Sequence, residues 1–387
     1  MPKPKIILVS RCSWTLYNFR AGMMRALKQA GYTVLGGGSG GDGFEPKISA
    51  LGVTFTHLPI KKKGMNPLAD LKLFYRLWRW YRSERPDIVH HFTIKPVIYG
   101  SLAARLTGVP KIINTVTGLG YVFTGDNVTV FRAAVRQMFR AGIKCADFTF
   151  FQNSDDRQYL IGGSPWWQKT DVLPGSGVDC QHFKPAYKPS ADDKATVTFL
   201  LVARMLKDKG IYQFVEAART MRRISPRARF QLLGGRDERN PNVIPSRDLE
   251  RWQKDGILEW LGVVEDVRPV LAAADVVVLP SYYREGIPRS LLEAAAMSKP
   301  IITTDCIGCR ETVDHQKTGL LIPPKDVTAL IQAMQWMLDH PRQLPIMGEA
   351  GRHKIEREFD EDIVIDRVLK EYKRQDDFTT KAELNSL

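Results

Sequence analysis

The feature that most constrains this chain is a regular alternation of short apolar runs with amphipathic helical stretches. IILVS is followed by a helical pattern around Asn18–Ala30, then by YTVL, VTFTHL, a helical stretch from Pro67, DIVHHF, KIINTV and FTFFQN. Apolar runs of strand length separated by helices are the mark of a parallel sheet covered by helices on both faces. KPAYKPSADDK, rich in Pro, Lys and Asp, then reads as a linker. A second series follows: TVTFLLVAR, a helix from Ile211, FQLLGG, LEWLG, DVVVLP, a helix from Pro288, PIITTD and GLLIPP. A chain of 387 residues exceeds the usual size of one core. The expectation is therefore an α/β protein of two doubly wound halves, residues 1–188 and 196–360. Residues 361–387 would add a helix and a polar tail able to pack back on the first half. In such sheets ligands bind beyond the carboxyl ends of the strands, so the cleft between the halves is the expected site.

Charge is distributed unevenly. The formal net charge is +14, yet residues 1–190 hold 26 Lys and Arg against 11 Asp and Glu, while the remainder holds 30 against 31. An excess confined to one half implies an anionic partner for that half: nucleic acid, an acidic membrane face or a diphosphate-bearing acceptor. No stretch reaches the roughly 18 uninterrupted apolar residues of a spanning helix, and MPKPKIILVS runs straight into a strand pattern. A cytoplasmic protein without a signal peptide is expected. Five cysteines spread along the chain do not make a disulfide framework. Cys306 and Cys309 form a lone CxxC without a second pair, which reads as two small loop residues. Asp360-Glu361-Asp362 is the one DxD, and it reads as a solvated helix start. Neither metal nor cofactor is expected.

The strongest chemical signal is Glu285-Gly-Ile-Pro-Arg-Ser-Leu-Leu-Glu293, directly after the buried run DVVVLP and the link SYYR. Pro288 suits the first turn of a helix, so Gly286, Ile287 and the backbone N–H groups of Arg289 and Ser290 would gather at a helix N-terminus, where a diphosphate binds well. Glu285 lies before that helix and Glu293 inside it, so the two carboxylates would address different parts of one extended ligand. Arg289 adds a cation. The second motif, Arg204-Met-Leu-Lys-Asp-Lys209-Gly210, opens onto a helix after the first strand of the second half. Arg204 and Lys209 together could neutralise a leaving nucleoside diphosphate without a metal ion.

With the linker position and the Gly234-Gly235 turn, these motifs resemble the retaining family 4 glycosyltransferases of the GT-B fold. The resemblance covers nearly the whole chain. REGIPRSLLEAAAMSKPIITTDCIGCRE, HHFTIKPVIYGSLAAR, TVTGLGYVFTG and LPGSGVD look like the bacterial enzymes that extend undecaprenyl-diphosphate-linked sugars. The resemblance implies two Rossmann-like domains facing each other across a cleft. It further implies that Arg204 and Lys209 bind the donor pyrophosphate, that Glu293 holds the ribose hydroxyls and that Glu285 faces the transferred sugar, with Gly235, Gly286, Ile287, Arg289 and Ser290 completing the donor site. The family pattern His-x-His stands here as His90-His91-Phe92, which makes either histidine a catalytic candidate. The usual glycine pair after the first strand is absent, and Asn18, Arg20 and Gly22 occupy that region. Asn18, Arg20, Lys95, Thr117 and Gly118 are the candidate acceptor and cleft residues. The stretch from Gly36 to Gly43 lacks the GxGxxG order and reads as a loop at the cleft edge.

Two helical segments of the first half are basic and aromatic at once. From Pro67 to Tyr81, Leu68, Leu71, Phe74, Leu77, Trp78 and Tyr81 recur at helical spacing, with Lys72, Arg76 and Arg79 on another face and Lys61-Lys62-Lys63 just before. Arg132, Arg136, Arg140 and Lys144 repeat every four residues, and no acidic residue stands between Val128 and Ala146. A solvated charge stripe is the plain alternative; two stripes with aromatics favour a surface for anionic lipid headgroups. The combined expectation is a retaining transferase that moves a sugar, an N-acetylhexosamine such as GalNAc, from a UDP-sugar to a polyprenyl-diphosphate-linked saccharide at the inner membrane face. The rivals are the same fold with a soluble or lipid A-type acceptor, and a nucleic-acid-binding protein, against which stands the absence of any recognised binding motif.

Overall fold

The protein is described by a computed structural model over residues 3–61, 66–119, 130–185, 196–238 and 240–374. The expected linker at Lys184–Lys194, most of the Lys61-Lys62-Lys63 run, Gly120 and Tyr121, and the polar tail beyond residue 374 lie largely outside the described residues.

The first half is a seven-stranded, all-parallel sheet. Its strands are β1 (Lys5–Cys12), β2 (Thr33–Ser39), β3 (Thr54–His57), β4 (Ile88–Phe92), β5 (Lys111–Val116), β6 (Phe148–Phe151) and β7 (Thr170–Val172), in the order β3-β2-β1-β4-β5-β6-β7. Helices α1 (Ser13–Gln29), α2 (Glu45–Ala50), α3 (Pro67–Glu84), α4 (Ser101–Leu106), α5 (Val130–Cys145) and α6 (Ser154–Ile161) form the crossovers. The second half is a six-stranded parallel sheet of order β10-β9-β8-β11-β12-β13, built from β8 (Val197–Val202), β9 (Ala228–Leu233), β10 (Glu259–Trp260), β11 (Val276–Leu279), β12 (Ile301–Thr304) and β13 (Gly319–Ile322). Around it stand α7 (Ile211–Ile224), α8 (Ser246–Lys254), α9 (Arg268–Ala273), α10 (Arg289–Ala296), α11 (Val327–Asp339) and α12 (Gln343–Glu358); α13 (Glu361–Lys373) follows. In each sheet the strand order reverses once, between β1 and β4 and between β8 and β11. Those reversals open a crevice at the carboxyl ends of the strands.

The central strands β4 (IVHHF) and β5 (KIINTV) are buried along their whole length, polar residues included, as expected of strands covered on both faces. On β4 the side chains alternate. Phe92 joins Leu8, Leu16 and Ile113 under α1, whereas Val89 faces the opposite core with Leu73, Leu77 and Trp80 of α3. The chain then crosses back: after α12 it pairs at Val178 and Asp360 with the first half, and α13 lays Val364, Ile365, Val368 and Tyr372 into the core beneath β1 and α1. Asp360 caps α13 by accepting from the Asp362 amide at 2.9 Å, the helix start expected of the DxD.

Two local expectations need correction, and the packing of α3 sorts its apolar positions. Gly36, Gly37 and Gly38 belong to β2 rather than to a loop, because a side chain there has no room: a Cβ on Gly37 would stand 2.7 Å from the Trp80 ring. The buried stripe of α3 is Leu73, Leu77, Trp80 and Tyr81, which leaves Leu68 and Leu71 facing outward. Pro288 is the N-cap of α10, one residue before the helix proper.

Candidate functional site

The site lies where the chain leaves β8 and β11. Lys209 ends a 3-10 turn after β8, and its buried ammonium pairs with Oε1 of Glu285. Ser281, two residues past β11, donates its hydroxyl to the same oxygen at 3.2 Å. The Lys209 ammonium also lies 5.0 Å above the Tyr283 ring. Arg204 is half-exposed and lies 3.9 Å from Asp237. A paired carboxylate and a buried ammonium thus stand at the sheet's carboxyl edge, with a half-exposed guanidinium on the loop that follows β8.

Behind Glu285 the chain turns into α10, whose first N–H groups, on Arg289 and Ser290, precede the first internal bond at Leu291. Gly286 threads a narrow gap: a Cβ there would stand 2.5 Å from Oε1 of Gln152 and 2.7 Å from the Thr117 carbonyl. Gly118 is held at φ +108, and a Cβ on it would meet the Gly286 amide at 2.9 Å. Thr117 and Gly118 of the first half therefore touch the motif loop of the second, as glycine alone permits on both sides. Ile287 seats against Gly175. Gly235, beside Gly234 at φ +143, accepts from the Met205 amide through its carbonyl.

Glu293 is half-buried, and desolvation raises its carboxyl above the ordinary range against the opposing pull of Arg289. Arg289 Nε donates to Glu293 Oε1 at 3.1 Å, and Nη1 of the same guanidinium reaches across the cleft to the Asn18 carbonyl on α1. Arg20, two residues on, lies buried over the Phe92 ring.

The two catalytic histidine candidates are core residues. His90 is in contact through Nδ1 with the Tyr372 hydroxyl at 2.5 Å and through Nε2 with Thr115 at 2.7 Å. His91 uses Nε2 on Tyr81 at 2.9 Å and Nδ1 on Asn114 at 3.0 Å. Both rings have zero exposure, so neither has a nitrogen left for a substrate. Burial pushes both imidazoles down, His91 to about 4. Lys95 is likewise committed inside the first half, where it neutralises the buried Asp70 at 2.7 Å. Of the basic stripes, Arg136 and Arg140 lie over the rings of Tyr159 and Trp166, and Lys144 is exposed. Arg132 is half-buried. On α3, Arg76 and Arg79 are exposed beside half-buried Trp78.

Two cross-cleft contacts carried no sequence signal. Arg284 pairs with the fully buried Asp156 of α6 at 2.7 Å, and Asn153, the α6 N-cap, donates to the Glu285 carbonyl at 3.3 Å. Their partners stand some 130 residues away, so no spacing rule could link them. Among the described residues no cluster of three metal-ligating side chains occurs, and no helix is long and apolar enough to cross a membrane.

Residues 196–340 match the family described as "Glycosyl transferases group 1", and residues 5–153 match "Glycosyl transferase 4-like". The chain is 28% identical over 386 residues to N,N'-diacetylbacillosaminyl-diphospho-undecaprenol alpha-1,3-N-acetylgalactosaminyltransferase of Campylobacter jejuni, covering 96% of this chain and 98% of that protein. It is 29% identical to UDP-Gal:alpha-D-GlcNAc-diphosphoundecaprenol alpha-1,3-galactosyltransferase of Escherichia coli, covering 81% and 84%. Among solved structures, a glycosyltransferase of Rickettsia africae superposes with a TM-score of 0.77 at 20% identity, covering 96% of this chain and 98% of that one. A protein of Anabaena solved with UDP and glucose superposes at 0.74 with 14% identity, covering 96% and 100%.

Proposed function

We propose that this chain, which belongs to the GT-B glycosyltransferases and is a hexosyltransferase, moves an N-acetylhexosamine such as GalNAc from a UDP-sugar to a polyprenyl-diphosphate-linked saccharide, with retention. The observation that carries this reading is the convergence of Lys209, Glu285, Ser281 and the opening amides of α10 at the switch point of the second sheet. Cations and a helix N-terminus suit a diphosphate. An ammonium has three donors, so Lys209 can hold Glu285 and a phosphate oxygen together. Arg204 would close on the other side. Glu293, oriented by Arg289, would take the ribose hydroxyls.

Transfer would proceed on one face of the sugar. The bond from C1 to the β-phosphate oxygen breaks, the bond from C1 to the acceptor oxygen forms, and the acceptor's proton passes to the departing phosphate. Arg204 and Lys209 stabilise the charge developing on that phosphate, and Glu285 positions the sugar, so the rate rests on placement and electrostatics without a metal. The donor and acceptor classes are supported by the names of the Campylobacter and Escherichia relatives and by the UDP bound in the Anabaena protein. Work at the inner face of the cytoplasmic membrane, in glycan or glycoprotein biosynthesis, fits that acceptor. The first half offers a surface for it: Leu68, Leu71 and Tyr75 are 81%, 63% and 52% exposed on α3, beside exposed Lys72, Arg76 and Arg79.

The test is a screen of radiolabelled nucleotide sugars for transfer to polyprenyl-diphosphate-linked acceptors, with and without EDTA. EDTA-resistant transfer from a UDP-N-acetylhexosamine, lost in Glu285→Ala and Arg204→Ala, is expected. Transfer only to soluble or lipid A-type acceptors, or full turnover in both variants, would overturn the reading.

A further inference from the structure

Arg20 is a buried cation without a counter-ion. It sits on α1 with 4% of its surface exposed, its guanidinium 4.3 Å from the centroid of Phe92, the last residue of β4. Nη1 donates to the Phe19 carbonyl, Nε finds no acceptor, and among the described residues no carboxylate stands within ion-pair distance. The charge that does approach has the same sign. Arg289 reaches over from α10 to the Asn18 carbonyl and the Phe19 ring, the two residues before Arg20. Burial, and then this like charge, bring the Arg20 guanidinium down to about 9.

Two guanidiniums converging on one turn of α1, one of them unpaired and dry, are costly unless an anion completes them. Arginine's planar fork matches phosphoryl oxygens in particular. We propose that Arg20 and Arg289 form a clamp for a phosphoryl group across the cleft, and that its ligand is the diphosphate of the lipid-linked acceptor. This rests on the acceptor class proposed above. The donor diphosphate has its own cations in Arg204 and Lys209 on the second sheet. Arg20 stands on α1 over the switch-point end of β4, in the half that holds the surplus positive charge. Because α10 covers this turn of α1, the acceptor enters when the two sheets part, and its diphosphate then bridges them.

The experiment uses two soluble short-chain acceptors with the same saccharide, one linked through a diphosphate and one through a monophosphate. Wild type is expected to prefer the diphosphate. Arg20→Gln is expected to raise its KM about ten- to a hundredfold, the loss of one charge-assisted bond, and to abolish the preference while UDP affinity holds. Arg20→Lys, which keeps the charge without the fork, is expected to fall between. Equal KM values for both acceptors in wild type, or UDP binding weakened as much as acceptor binding in Arg20→Gln, would overturn the proposal; the second result assigns the phosphoryl group to the donor. Should Arg20→Gln fail to fold, inhibition of wild type by inorganic pyrophosphate decides: competition with the acceptor at saturating donor supports the clamp, and competition with the donor alone overturns it. A wild type that binds no UDP would instead bring down the donor reading beneath it.

Discussion

Replacing Lys209 with Ala is expected to cost stability and donor binding separately. The ammonium is removed from Glu285 where the two side chains are only 11% and 12% exposed. Taking one partner from a buried pair leaves the other charge uncompensated, a loss of about 3–5 kcal/mol. Ser281 still donates to Glu285 Oε1, which places the loss near the lower figure. At about 2–4 °C per kcal/mol for a domain of this size, the unfolding midpoint should drop on the order of 6–12 °C. A charge-assisted bond to a phosphate oxygen contributes about 1.5–3 kcal/mol, so UDP should bind about ten- to a hundredfold more weakly. The double variant Lys209→Ala, Glu285→Gln separates the effects. It carries no orphaned carboxylate and should recover most of the stability, but none of the UDP affinity. Thermal unfolding and calorimetric titration with UDP read the two quantities. UDP bound as in wild type by the single variant, or affinity returning with stability in the double variant, would reduce Lys209 to a structural counter-ion and refute the donor site.

Further outcomes follow from other contacts. His90 and His91 are held neutral by burial, so below about pH 6.5 the unfolded chain takes up protons that the folded one refuses, and stability falls as pH falls. His90→Gln should flatten that slope in unfolding midpoints and leave the pH profile of kcat in place; a displaced kcat profile would return His90 to the chemistry. Gly286→Ala puts a Cβ against Gln152 and the Thr117 carbonyl, so kcat/KM should drop on the order of a hundredfold through misplacement of the motif loop, with a loss of about 1–3 kcal/mol in stability from the clash. Wild-type turnover would show that the close approach is dispensable. Leu68→Asp with Leu71→Asp should abolish flotation with anionic liposomes at low salt without lowering turnover on a short soluble acceptor; unchanged flotation would move the membrane contact away from α3.

Except for the three-residue β7 at Thr170–Val172, the strands and their order of appearance were legible because a parallel sheet writes most of its buried strands with short apolar runs. The loop from Glu285 to Glu293 was legible because Pro288 and the flanking carboxylates announce a helix start. What sequence could not convey was direction. His90 and His91 stand at the carboxyl end of a central strand, where a cleft residue belongs, yet each ring turns into a core, one toward Tyr372 and the other toward Tyr81. Lys95 similarly answers Asp70, 25 residues earlier. On α3 the apolar positions outnumber those that one face can bury, and only the packed structure shows that Leu68 and Leu71 are the surplus. Arg284 and Asp156, or Arg289 and Asn18, meet across the cleft, and pairing at such separation leaves no periodicity to read.

The crossing of α13 has a consequence for how the molecule is made. Val364, Ile365, Val368 and Tyr372 seal the underside of a sheet whose first strand begins at Lys5. That sheet can assemble early during synthesis, but one flank of it stays open to water until the ribosome has added the residues up to Tyr372. The front half of the chain is therefore the first to be translated and the last to be finished, and for that interval its greasy flank is exposed to whatever stands nearby.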